Sequence, residues 1–72
     1  MKVLTKDEFM NAWSLDRAKI TFDDGQVFIG CATYISASDS PDDISEINII
    51  VENGGPYIGA PLSEVIEIVD LN

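Results

Sequence analysis

The stretch Ile20-Thr21-Phe22-Asp23-Asp24-Gly25-Gln26-Val27-Phe28-Ile29-Gly30 decides the fold. In its first half, and from Ala18 onward, Ala18, Ile20 and Phe22 alternate with Lys19, Thr21 and Asp23, the period of two that a strand with one buried face requires. Asp24-Gly25 then interrupts the apolar pattern, and glycine accepts the positive φ of a tight turn freely, so a hairpin is expected here. The second strand runs from Gln26 to about Ser36 and is apolar on both faces, with Val27, Ile29, Cys31 and Ile35 opposed by Phe28, Ala32 and Tyr34. A flat sheet with one wet face does not need this. A long strand that bends sharply does, because its two halves can turn opposite faces to one core, and Gly30 is where such a bend is cheapest.

Toward the N-terminus the chain reads as a helix over about 6–15. Thr5 can cap the Glu8 amide while the Glu8 side chain returns to the Thr5 amide, with Leu4 and Phe9 placed as a hydrophobic staple. Phe9, Met10 and Trp13 share one side of that helix, which points Phe9 and Trp13 toward the core. Toward the C-terminus, the turn-rich, acidic segment from Ser36 to Ser45 reads as a loop, since Pro41 disfavours continued strand. A third strand follows, with Ile47, Ile49 and Val51 on one face and Glu46, Asn48 and Glu52 on the other, ended by Asn53-Gly54-Gly55-Pro56. Tyr57, Ile58 and Ala60 make a short fourth strand flanked by Pro56 and Pro61, which suits a sheet edge. Leu62-Ser63-Glu64 is a single helical turn, and Val65 to Leu71 is the last strand. One N-terminal α-helix followed by five short strands in tight succession predicts a mainly β fold, a strongly bent antiparallel sheet closing on itself.

That arrangement resembles the Sm-like family of bacterial type, an SH3-like small barrel preceded by a helix. The segment from Ile20 to Gly30 looks like the family's run of apolar strand, Asp-Gly turn, apolar strand and glycine, and Leu62-Ser63-Glu64-Val65-Ile66-Glu67-Ile68 looks like its closing turn and strand. The resemblance covers roughly Arg17 to Leu71 and implies a barrel over about 17–71 within a single domain, 1–72. It does not extend to the family's RNA pocket. No polar Asp and Asn motif follows Tyr34, and the second binding position holds Leu62-Ser63-Glu64-Val65, with a carboxylate where a cation is needed.

Charge points the same way. The 72 residues carry 13 acidic and 4 basic side chains for a net charge of −9. The cations Lys2, Lys6, Arg17 and Lys19 all precede Ile20, and the stretch from Ile20 to Asn72 holds ten carboxylates, Asp23, Asp24, Asp39, Asp42, Asp43, Glu46, Glu52, Glu64, Glu67 and Asp70, with no cation among them. Direct nucleic-acid binding draws its affinity from neutralising phosphates, so this distribution argues against it. Catalysis lacks material: there is no His, and the lone Cys31 lies mid-strand, where a free cysteine is expected to be packed. Asp39, Asp42 and Asp43 in one loop invite a divalent cation, but the spacing matches no EF-hand and a solvated turn is the better reading; no cofactor is expected. A single cysteine, no run of signal-peptide type and no apolar span of membrane length fit a soluble protein of the reducing cytoplasm.

The expected function is a non-enzymatic protein-interaction module. Its partner would be another protein or another copy, paired edge to edge through the short fourth strand or the last strand. The alternative is an acidic mimic of nucleic-acid phosphates that inhibits a DNA- or RNA-handling protein, against which stands the simple use of acidity for solubility. A divergent Sm-like RNA binder ranks below both.

Overall fold

The computed structural model describes residues 1–72. The chain forms β1 (Lys2–Leu4), α1 (Lys6–Ala12), β2 (Ser14–Phe22), β3 (Val27–Ile35), β4 (Glu46–Val51), β5 (Tyr57–Pro61) and β6 (Val65–Asp70), with 3₁₀ turns at Ala37–Asp39 and Leu62–Glu64. All six strands belong to one antiparallel sheet in the order β1-β6-β2-β3-β4-β5, which is not closed into a barrel. The mainly β architecture is as expected, but the strands number six, not five. Lys2–Leu4 pairs with β6 from Asp70 to Ile68, so the last strand lies between β1 and β2 and has no free edge to offer.

The β2–β3 hairpin turns where the sequence places it. Gly25 N–H donates to the Phe22 carbonyl (3.0 Å) and Phe22 N–H to the Gln26 carbonyl (2.9 Å), enclosing a three-residue loop with Gly25 at φ +89°. This is a turn followed by a left-handed residue, a geometry that keeps the twist of the flanking strands. Asn53 and Gly54, with φ of +63° and +76°, likewise reverse the chain between β4 and β5.

The helix is shorter than its apolar pattern suggests. Its start is the capping box: Glu8 N–H donates to Thr5 Oγ1 (3.1 Å) and Thr5 N–H to Glu8 Oε1 (2.9 Å). Its end comes at Ala12 because Ser14 and Leu15 pair with Thr33 and Ala32 of β3, and sheet pairing overrides helical propensity. Trp13 absorbs the change of direction at φ +70°, an uncommon conformation for a bulky residue.

One cluster makes the core: Phe9 from the helix, Leu15, Ala18, Ile20 and Phe22 from β2, Ala32 from β3, Ile47 and Ile49 from β4, and Leu62, Val65 and Ile68 near the end. Leu15 and Ala18 lie on the same face despite their odd spacing because an extra residue bulges at Asp16-Arg17. β3 does not turn its two faces to one core in succession. Ala32 and the buried Gly30, with Phe28 and Tyr34 beside them, stay on the inner side, whereas Val27, Ile29, Cys31 and Ile35 stay on the other. Gly30 instead permits a close crossing: a Cβ there would lie 2.9 Å from Val51 Cα and 2.8 Å from the Ile50 carbonyl carbon. Curvature shows in the shape. Extents of 29 × 24 × 22 Å are nearly equal, whereas a flat sheet is a slab with one thin dimension, so the sheet wraps its core without closing on itself.

Candidate interaction site

β5 is an open edge. Its only neighbour is β4, with Ile58 opposite Ile49 and Ala60 opposite Ile47. Val51 N–H donates to the Pro56 carbonyl (3.2 Å) and Leu62 N–H to the Ser45 carbonyl (2.9 Å), so the even-numbered residues direct their backbone groups toward β4. By the alternation of an antiparallel ladder, Tyr57 and Gly59 then present N–H and C=O outward, and Pro61 presents a carbonyl alone. The sequence signal for this edge was its flanking prolines, and the structure places it there.

The outer face of the sheet is unusually apolar. Ile50 (59% exposed) pairs with Tyr57 (65%) on one side and half-buried Cys31 on the other, and Val27 and Val3 are exposed farther along the same face. Cys31 is therefore not a core residue; it belongs to this outer row, and the apolar character of both faces of β3 has its explanation here. Trp13 also departs from expectation. Phe9 is fully buried, but Trp13 is half exposed, its ring edge-on to Tyr34 at 5.2 Å. Because its backbone has already left the helix, the shared helical side no longer fixes where its ring points.

Three ion pairs join cations to acids: Lys2 Nζ with Glu8 Oε2 (3.5 Å), Arg17 Nε with Glu52 Oε1 (2.7 Å), and Lys19 Nζ with Glu67 Oε1 (4.0 Å). Two of the ten late carboxylates thus find cations that are remote in sequence, and eight do not. The Arg17 hydrogen bond holds the Glu52 carboxyl below its ordinary value, and Glu52 in turn raises Arg17. Glu8 is lowered chiefly by the Thr5 backbone N–H.

In the loop before β4, Ser36 Oγ donates to Asp39 (3.0 Å) and Asp43 takes φ +56°. Asp42 N–H and Glu46 Oε1 both bond Ser40 Oγ, at 3.3 and 2.7 Å, which makes buried Ser40 the organiser of this loop. No three acidic or cysteine side chains converge there or elsewhere as a metal site would need.

An open cavity of about 120 Å³ lies at the hairpin end of the sheet, its apolar lining supplied by Phe22 and Phe28 of the hairpin and Ile58 and Ala60 of β5. Asp24, Gln26 and Glu64 supply its polar groups. No local pattern in the chain marks this site, since its lining joins the β2–β3 hairpin to residues of β5 and the turn before β6. Comparison with protein-family models, with curated proteins and with solved structures finds no match for this chain.

Proposed function

We propose that the chain is a non-enzymatic protein-interaction module of SH3-like, Sm-like small-barrel type, and that it holds its partner, another copy of itself in the first instance, by strand addition at β5. The observation that carries this is the outward-facing backbone of Tyr57 and Gly59 on an edge strand, with Tyr57 and Ile50 exposed beside it. Natural sheets blunt such an edge with charge, proline or brevity; β5 has no charged residue, and its proline stands at its last position, Pro61, beyond Tyr57 and Gly59. The other edge, β1, is only three residues long and carries Lys2. Small cores also gain from association. The Sm-like reading rests on the hairpin, the close crossing at Gly30 and the turn before β6, and it extends to none of the family's RNA contacts. Three of the four cations are already in ion pairs, leaving little to neutralise phosphates.

Sedimentation of the whole chain at micromolar concentration tests the proposal, with a mass above one chain expected. Gly59→Pro removes an outward N–H that β4 does not use, and Tyr57→Lys adds charge to the same edge; both should return the protein to one chain with its circular dichroism retained. A chain that sediments as a strict monomer and recovers no partner on affinity purification would refute the idea. The eight unpaired carboxylates favour, as a second reading, an acidic mimic that occupies a basic groove. That reading requires binding that weakens steeply with salt and competes with nucleic acid.

A further inference from the structure

We infer that two copies of the chain join β5 to β5, antiparallel about a twofold axis through Ile58, so that Tyr57 of each copy lies over Gly59 of the other. The inference rests on strand addition at β5 and adds to it the register of the pairing. Hydrogen bonding selects that register. The outward groups of β5 are the N–H and C=O of Tyr57 and Gly59 and the carbonyl of Pro61. With Ile58 opposite Ile58 of the second copy, Tyr57 faces Gly59 and Gly59 faces Tyr57, and each such pair exchanges N–H to C=O bonds in both directions. Every outward N–H and C=O of Tyr57 and Gly59 is then used. Moving the axis to Gly59 sets Pro61 against Tyr57, and Pro61, having no N–H, leaves the Tyr57 carbonyl without a donor. Moving it to Tyr57 sets Gly59 against Gly55, whose N–H is already given to the Glu52 carbonyl (3.4 Å). Either shift strands a polar group in the joint, which the axis at Ile58 avoids.

The side chains fit the same register. Tyr57 is exposed on the outer face beside Ile50 of its own copy. Opposite it, Gly59 of the second copy offers bare backbone, and an aromatic ring laid over an edge glycine covers backbone that would otherwise stay wet. Beyond Gly59 in the same row stands half-buried Asn48, so near that a Cβ on Gly59 would lie 3.3 Å from Asn48 Oδ1. The ring of Tyr57 thus spans the glycine, and its hydroxyl ends toward an amide able to bond it. On the inner face the two Ile58 side chains face each other across the axis, at the short spacing of a non-hydrogen-bonded pair. Charge favours a second copy as the occupant. A chain of net charge −9 repels itself, but Asn53-Gly54-Gly55-Pro56 and β5 after it carry no charged residue, so two copies meet there without a carboxylate on either strand. The contact uses the same patch on both sides, so it closes at two copies and consumes both β5 edges.

Disulfide trapping of the whole chain tests the register, with each new cysteine placed in a Cys31→Ala background and oxidised in a glutathione buffer. Ile58→Cys should cross-link to itself, because side chains opposed in a non-hydrogen-bonded antiparallel pair lie within disulfide reach. Tyr57→Cys and Gly59→Cys should cross-link to each other when mixed, and neither to itself. Self-linking of Gly59→Cys or of Tyr57→Cys, with Ile58→Cys silent, would leave strand addition standing and overturn this register. A second measurement leaves the chain unaltered. In a mixture of ¹³C-labelled and unlabelled copies, isotope-filtered spectra should show contacts between the Tyr57 ring and the Gly59 α-protons of the other copy. Tyr57→Ala should weaken the dimer by about two- to thirtyfold, since the twofold axis makes each cross-strand contact count twice. Sedimentation of the same samples separates the other failures: a dimer whose cross-copy contacts run from β5 to β1 overturns the register alone, and a strict monomer overturns strand addition with it.

Discussion

Gly30 shows how much can depend on the absence of one side chain. Its Cβ would meet the backbone of Ile50 and Val51, which cannot step aside as a flexible side chain could. Gly30→Ala should therefore fall at the upper end of the range of about 1–3 kcal/mol for forcing extra atoms into a packed site. Gly25→Ala meets open space and is penalised only through its φ of +89°, at about 1–2 kcal/mol. Urea unfolding at unchanged m separates the two, and equal midpoint shifts would contradict the assignment. Ile49→Ala, in the fully buried core, should exceed both at about 2–5 kcal/mol. Gly25 was fully legible in the sequence because an Asp-Gly turn is a local property. Gly30 stands out in the sequence as the place for a bend, but nothing near it in the chain shows that β4 crosses so closely, which is its actual reason. The side of Cys31 is hidden for a related reason: period-two patterning gives two faces for β3, and when both are apolar only the pairing with Ile50 tells which is outside.

Among the elements, the helix start was read to the residue and the helix end was not. Thr5 and Glu8 satisfy each other within four residues, so the box needs no tertiary context. Thr5→Ala should cost about 1 kcal/mol by thermal or urea unfolding. The end at Ala12 is dictated by Ala32, seventeen residues beyond Leu15, and this pairing no local pattern reveals. β1 escaped for the same reason: three residues show no period, and Leu4 served equally well as a helix staple until Ile68 appeared beside it. pH tests two of these links. Glu8 and Glu52 both titrate below the ordinary glutamate value of 4.5 in the folded chain. A carboxyl depressed on folding contributes stability above its unfolded pKa and loses it as pH falls through the folded one. Glu52→Gln and Glu8→Gln should each be less stable than the parent at pH 7, with the gap closing as pH drops below about 4.5. A gap that persists into strong acid would mean that packing, not charge, was lost.

At the scale of the whole molecule, charge was the most visible feature of the sequence and the least decisive about the site. The segregation of cations before Ile20 suggested a barrel without cationic neighbours, yet the bulge at Arg17 and the outward face of β2 bring Arg17 and Lys19 to Glu52 and Glu67. What remains is a net charge of −9 on a body whose longest extent is 29 Å. Self-repulsion on that scale is screened when the Debye length falls from about 30 Å to about 10 Å, between roughly 0.01 and 0.1 M salt. The melting temperature should rise across this range, and a fall would show that the three ion pairs outweigh the repulsion. The cavity at the hairpin end was illegible because Phe22, Phe28, Ile58 and Glu64 meet only when the curved sheet brings β5 over the hairpin. The joint at Trp13 has one more consequence. It is the only tryptophan in the chain, and it stands against Tyr34 where the helix turns into β2. Light absorbed by Tyr34 should therefore emerge as indole fluorescence, and the brightness of that transfer is a built-in gauge of whether the joint leading into β2 holds its place against β3, to which the Tyr34 N–H to Trp13 carbonyl bond ties it.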